Sequence, residues 1–167
     1  MALDLSRLQF LIVDDNDFMK RLLRELLWAM NCSLDNIRFA SNGRDALQML
    51  RDYPIDIVIC DINMQPMNGK EFTSYVRMAP ASPDPHVPII VCTGHAEMKH
   101  ICGARDAGAN EILSKPITVS TVYDRIRAIV EKPRPFIRSA TYYGPDRRRQ
   151  NGPFNGPDRR VAAPLLV

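Results

Sequence analysis

The sequence predicts an α/β fold: a parallel β-sheet covered by helices on both faces, followed by an irregular C-terminal tail. Three observations predict it. Short apolar runs alternate with amphipathic stretches of helical period along most of the chain, which is the mark of repeated β-α units. The runs are apolar almost throughout, as strands buried on both faces require. Finally, the last 35 residues carry six of the thirteen prolines and three of the eight glycines without an apolar period, so they read as a linker or as a segment that folds on binding.

Five runs read as strands: LQFLIV (8–13), NIRFA (36–40), IDIVIC (55–60), PIIVCT (88–93) and ANEILS (109–114). Leu22, Leu23, Leu26, Leu27 and Met30 recur at three- and four-residue spacing, as do Val119, Val122, Ile126, Ile129 and Val130, and both sets predict core-facing helix stripes. Three more helices fit residues 43–52, 69–78 and 95–107. APASPDPHVP (79–88) holds four prolines and predicts a loop.

At 167 residues and 46% hydrophobic, the chain has room for one domain, residues 1–132, and an appendage, residues 133–167. The net charge of +3 is unevenly spread. Seven arginines, no lysine and two aspartates make the appendage +5 and leave −2 on residues 1–132. Cys32, Cys60, Cys92 and Cys102 form no C-x-x-C pair and read as buried free thiols of a reducing cytosol, in preference to a metal or disulfide set. No window reaches the roughly 18 apolar residues of a membrane span, and the N-terminus has no signal-peptide pattern, so a cytoplasmic protein is expected.

Ligands of an open parallel sheet bind beyond the carboxyl ends of its strands. Asp14 and Asp15 follow the first strand there, Asp61 the third and Lys115 the fifth, while Thr93 ends the fourth. Taken singly, each aspartate has an ordinary use as a turn former or helix cap. Together, three converging carboxylates call for a hard divalent cation such as Mg²⁺, and the lysine and hydroxyl suit a phosphoryl group.

The stretches FLIVDDNDFM, IVICDINMQPMNG, IIVCTG and ILSKPI resemble the receiver domain of bacterial two-component response regulators, the chemotaxis-regulator kind in particular, over roughly residues 6–131. The resemblance implies a flavodoxin-like strand order of 2-1-3-4-5. It implies that Asp61 accepts a phosphoryl group from a kinase phosphohistidine, and that Asp14, Asp15, Asp61 and the main-chain carbonyl of Asn63 hold Mg²⁺. Lys115 would pair with phosphoryl oxygens, Thr93 would swing in to bond one of them, and Pro116 would fix the turn, with a cis bond as in the family. Two departures stand out: Ile112 occupies the position where relatives carry Tyr or Phe, and the loop proline sits at Pro66, with Gln65 where many relatives have it. Since Gly69 keeps its place, a changed loop path and an intact acceptor site are expected.

In the tail, Gly-Pro-Asp-Arg-Arg occurs at 144–148 and again at 156–160. Arginine without lysine favours recognition by the guanidinium plane, and Tyr142, Tyr143 and Phe154 offer stacking faces. The tail also resembles the arginine-rich extensions of chemotaxis-regulator-like proteins that bind cyclic di-guanylate (cyclic di-GMP) and act on the flagellar motor. On that resemblance Arg134, Arg138, Asp146, Arg147, Arg148, Asp158, Arg159 and Arg160 are the candidate ligand residues. The competing readings are a solvated basic tether and nonspecific contact with nucleic acid or anionic lipid.

The expected protein is a stand-alone phosphorylation-dependent switch. Its expected partners are a histidine kinase or phosphotransfer protein and a downstream target such as the flagellar motor switch. It is not expected to be a turnover enzyme, and no DNA-binding output module fits in the last 35 residues. A cyclic di-GMP effector and a phosphotransfer sink are the alternatives.

Overall fold

The computed structural model describes residues 2–94, 98–148 and 165–166. Strands β1 (Phe10–Val13), β2 (Ile37–Ala40), β3 (Ile57–Asp61), β4 (Ile89–Thr93) and β5 (Glu111–Ser114) form one parallel sheet in the order β2-β1-β3-β4-β5. The flavodoxin-like order is therefore the observed one. Helices α1 (Asp17–Ala29), α2 (Gly43–Asp52), α3 (Gly69–Met78), α4 (Met98–Ala107) and α5 (Val119–Glu131) alternate with the strands.

Strand alternation sorts the core into two layers. Phe10, Ile12, Ile57 and Ile59 face one side, where Leu23 and Leu27 of α1 and Val122 and Ile126 of α5 cover them. Leu11, Val13, Val58 and Cys60 face the other, under Ala46, Leu47 and Leu50 of α2, Phe72 and Val76 of α3, and Ala104 of α4. Side-chain oxygens of Asn16, Asn42, Asn68 and Thr118 accept from the first-turn amides of α1, α2, α3 and α5. Four helices thus start, capped, near the carboxyl edge of the sheet.

Some expectations needed adjustment. Val119 and Val130 are 42% and 39% exposed, because they sit in the end turns of α5 at the rim of its apolar stripe. Cys102 is only half-buried, while the other three thiols are buried and all four are free. The peptide bonds before Pro66 and Pro116 are cis.

The start of the appendage is more ordered than its composition suggests. Strands β6 (Phe136–Arg138) and β7 (Tyr143–Pro145) pair antiparallel, and β8 (Leu165–Leu166) adds to the other edge of β6. Phe136, Tyr142 and Tyr143 are buried. Three-residue strands are too short to show an alternation, which is why their pattern is invisible in the sequence.

The hairpin docks at the amino edge of β4 and β5 around one buried cation. Arg77, at the end of α3, is 3% exposed. Its Nε donates to the Gly108 carbonyl at 3.0 Å, its Nη1 to the carbonyls of Pro85 and Val87 at 2.8 Å each, and its Nη2 to Asn110 Oδ1 at 2.8 Å. The guanidinium also lies 4.9 Å from the centre of the Phe136 ring. Burial lowers its pKa to about 10, with nearby Tyr142, Asp84 and Tyr143 opposing, so it stays charged at neutral pH. Replacing it would strand several buried acceptors. Arg77→Met is expected to cost about 3 kcal/mol in urea unfolding, with Tyr142 and Tyr143 becoming accessible to a fluorescence quencher; a cost below about 0.5 kcal/mol would show that the cation holds nothing together.

Candidate functional site

Asp14 is the first residue beyond β1 and Asp61 the last of β3. These strands are neighbours in register, Val13 opposite Cys60, so the two carboxylates emerge side by side. Asp15 completes a cluster in which one oxygen from each of the three residues lies within 4.8 Å of the others. Asp14 and Asp61 are buried and Asp15 is exposed. β4 lies beside β3, with Asp61 opposite Cys92, so Thr93 ends the next strand and is 1% exposed. The amide of Lys115 donates to the Thr93 carbonyl at 2.9 Å, and its Nζ stands 3.0 Å from Asp61 Oδ1. The five residues singled out at the strand ends therefore do share one edge.

The loops beyond the strands are tightly held. Asn16 N donates to Asp14 Oδ1 at 2.9 Å, and Asn63 N to Asp61 Oδ2 at 3.2 Å. A Cβ on Gly69 would sit 2.2 Å from the Asp61 carbonyl oxygen, so only glycine lets α3 start this close to the loop after β3. Gly43 N donates to the Met67 carbonyl at 3.0 Å, tying the same loop to α2. Asn16 and Gly43 escaped the sequence reading. The signal for Gly43 was the Asn-x-x-acid spacing at Asn42–Asp45, which marks a capped helix start, and for Asn16 its place just before the leucine stripe of α1.

Burial, assisted by the charges of Asp61 and Asp15, pushes the Asp14 carboxyl up to about 6, against the opposing Asn16 amide and Lys115. For Lys115, burial pulls the ammonium down, but its hydrogen bond and ion pair with Asp61 outweigh this and leave it raised. Ile112 is half-buried against the core layer beneath α2, α3 and α4, where it offers neither ring nor hydroxyl.

The tail residues lie at the opposite edge of the sheet. Arg134 donates to the carbonyls of Asp146, at 3.0 Å, and of Asn110. Arg138 stacks 4.3 Å over the Tyr143 ring. Arg147 stacks 4.6 Å over Tyr142 and pairs with Asp106 at 2.7 Å, while Arg148 pairs with Asp146 at 2.6 Å. That hydrogen bond holds the Asp146 carboxyl below its ordinary range. Asp158, Arg159 and Arg160 lie outside the described residues.

The fold places the protein among the open parallel α/β sheets, whose ligands bind beyond the carboxyl ends of the strands, where this acidic edge stands. Residues 10–127 match the response regulator receiver domain, and the chain belongs to that family. It is 31% identical over 127 residues to chemotaxis protein CheY-3 of Vibrio cholerae, covering 76% of this chain and 95% of the relative. It is 34% identical over 122 residues to chemotaxis protein CheY of Halobacterium salinarum, covering 73% and 96%. The solved structure of Vibrio cholerae chemotaxis protein CheY4 superposes with a TM-score of 0.65 at 26% identity, covering 74% of this chain and 98% of that one.

Receiver domains bind Mg²⁺ at an acidic pocket, and the cluster fits it: three hard-oxygen donors converge, and burial, with the charges of Asp61 and Asp15, raises the Asp14 carboxyl where a cation would favour its ionised form. Asp14 lets go of its proton near 3.8 when unfolded and near 6 when folded. The stability this proton contributes is therefore fully present below about pH 4 and lost as pH rises through 6. Mg²⁺ competes with the same proton, so the thermal stabilisation by MgCl₂ is expected to be small at about pH 5 and full above about pH 7. Asp14→Asn should flatten this dependence. Thermal melts across that range check it; a magnesium shift independent of pH would show that Asp14 is not a ligand.

Proposed function

We propose that the protein is a response regulator in which Asp61 accepts a phosphoryl group from a phosphohistidine and thereby switches its contacts with other proteins. The observation that carries the reading is the environment of Asp61: a lysine ammonium at 3.0 Å on one side and two further carboxylates within 4.8 Å on the other. In the transfer, the phosphorus–nitrogen bond of the donor breaks as a bond forms from an Asp61 oxygen to phosphorus. The freed imidazole takes the electron pair and picks up a proton. Lys115 neutralises charge on the phosphoryl oxygens, and the Thr93 hydroxyl donates to one of them once the group is in place. Asp14, Asp15, Asp61 and the Asn63 carbonyl would hold Mg²⁺, which supplies charge neutralisation when bound. The neighbouring thiols Cys60 and Cys92 add no negative charge, because burial keeps them protonated.

This chemistry makes the protein a substrate of its kinase and a slow hydrolase of its own acyl phosphate. The likeness to chemotaxis proteins supports a histidine kinase or phosphotransfer protein as donor and a protein target downstream, both in the cytoplasm. The cyclic di-GMP reading has less behind it: Arg134, Arg147 and Arg148 face partners within the chain, and the second repeat lies outside the described residues. A phosphotransfer sink shares the acceptor and differs in turnover.

Incubation with acetyl phosphate and Mg²⁺, followed by intact-mass spectrometry, tests the proposal. A covalent phosphoryl adduct is expected, absent in Asp61→Asn and formed about 10²-fold more slowly in Lys115→Met. An undiminished adduct in Asp61→Asn would move the acceptor elsewhere.

A further inference from the structure

The five helices are not equally anchored. α1 inserts Leu23 and Leu27 into the core, α2 Leu47 and Leu50, α3 Phe72 and Val76, and α5 Val122 and Ile126. Among the described residues of α4, only the alanines Ala104 and Ala107 are fully buried, while Ile101 and Cys102 are half-buried. A methyl group removes far less apolar surface from water than an isobutyl group or a ring. Among the described residues, α4 is thus the helix that its own side chains hold least.

Its carboxyl end also meets the appendage. Asp106 sits in the last turn of α4, where the helix dipole disfavours an acid, and the Arg147 guanidinium compensates it at 2.7 Å while lying over the Tyr142 ring. Beyond Asp106 the chain turns at Gly108, with φ of +111°, and the β7 backbone closes over that turn. A Cβ on Gly108 would come within 3.2 Å of the Tyr143 carbonyl oxygen, and one on Gly144 within 3.1 Å of Gly108 Cα. Arg77 binds the Gly108 carbonyl from beneath and carries Phe136 of β6 on its other side. At the amino end, α4 follows β4, whose last residue, Thr93, borders the acidic cluster.

We infer that the β6–β7 hairpin is a clamp on the far end of α4, and that through this helix the state of Asp61 and the docking of the arginine-rich appendage control one another. The inference rests on the reading of Asp61 as acceptor. A change at Thr93 would reach α4, the next helix along the chain and, among the described residues, the one with the smallest buried side chains, and the strain would fall on the contacts among Asp106, Gly108, Arg147 and Tyr143. Coupling of this kind is reciprocal: whatever loosens the hairpin also alters the ease with which Asp61 is phosphorylated. The output of this receiver is then the release or retention of its own basic segment.

Hydrogen–deuterium exchange on the full chain tests this, with beryllofluoride and Mg²⁺ as the probe of the acceptor site. Peptides holding Asp14, Asp15 and Asp61 should become protected, and exchange in residues 98–107 and 136–145 should change about two- to fivefold or more; Asp61→Asn should abolish both effects. Arg147→Glu and Asp106→Arg should each speed exchange in α4 and shift the acetyl phosphate labelling rate about two- to fivefold, and the double swap should restore both. If beryllofluoride leaves the acceptor peptides unprotected, the acceptor reading fails and takes the coupling with it. If those peptides are protected while the hairpin does not respond, the acceptor stands and the coupling is overturned. Single variants that loosen the hairpin but leave α4 and the labelling rate unchanged also overturn it.

Discussion

The constraint on which the rest depends is mutual repulsion among three carboxylates held within 4.8 Å. Such a cluster is unfavourable in isolation: burial first, and then the charges of Asp61 and Asp15, push the Asp14 carboxyl up. It persists because the sheet leaves it no alternative. Asp14 and Asp61 continue neighbouring strands whose preceding residues are fully buried on both faces, so a one-residue slip would drive carboxylates into the core and apolar side chains out of it. The hydrophobic pairing of β1 with β3 thus acts as a vice that holds like charges together. Lys115 relieves part of the repulsion, and the remaining deficit of positive charge gives the pocket its appetite for a small hard cation.

The surroundings of the cluster are arranged so that nothing else disturbs this balance. The backbone amides of Asn16 and Asn63 each bond one carboxylate. Gly69 permits α3 to begin almost against the Asp61 carbonyl. Cys60 and Cys92, buried beside Asp61, remain neutral thiols and add no negative charge to that of the aspartates. Small side chains and main-chain donors fit close to the acidic edge in a way that longer polar groups would not.

How legible this was in the sequence depended on the length scale of each pattern. Buried parallel strands and leucine stripes repeat over many residues, so the five strands, the helices at 43–52 and 69–78, and the proline loop at 79–88 could be read from composition and period. The acidic edge was legible because strand ends in a parallel sheet are topologically forced to one side. The hairpin was not, since its strands have three residues each and its burial comes from Phe136, Tyr142 and Tyr143 meeting a cation distant in sequence, Arg77. No local pattern announces such a contact. Likewise Asp106 and the Asn110 carbonyl, which partner Arg147 and Arg134, are too distant in sequence for any local pattern to reveal.

The two edges of the sheet are built on opposite principles. The carboxyl edge gathers anions that lack a full counter-charge; the amino edge buries one cation, Arg77, and satisfies it with carbonyl dipoles and an amide. Both α3 and α4 run between these edges, from the acidic side to the hairpin side. α3 is fixed along its length by Phe72 and Val76, so a disturbance at Asp61 finds it stiff. α4, seated on alanines among its described residues, meets the appendage at its far end through the Arg147–Asp106 pair, so under the coupling inferred above a displacement of its amino end would be felt there. A guanidinium that owes its place to carbonyls of the α3–β4 and α4–β5 loops is well suited to feel such a shift, because rotation of either loop breaks several of its hydrogen bonds together.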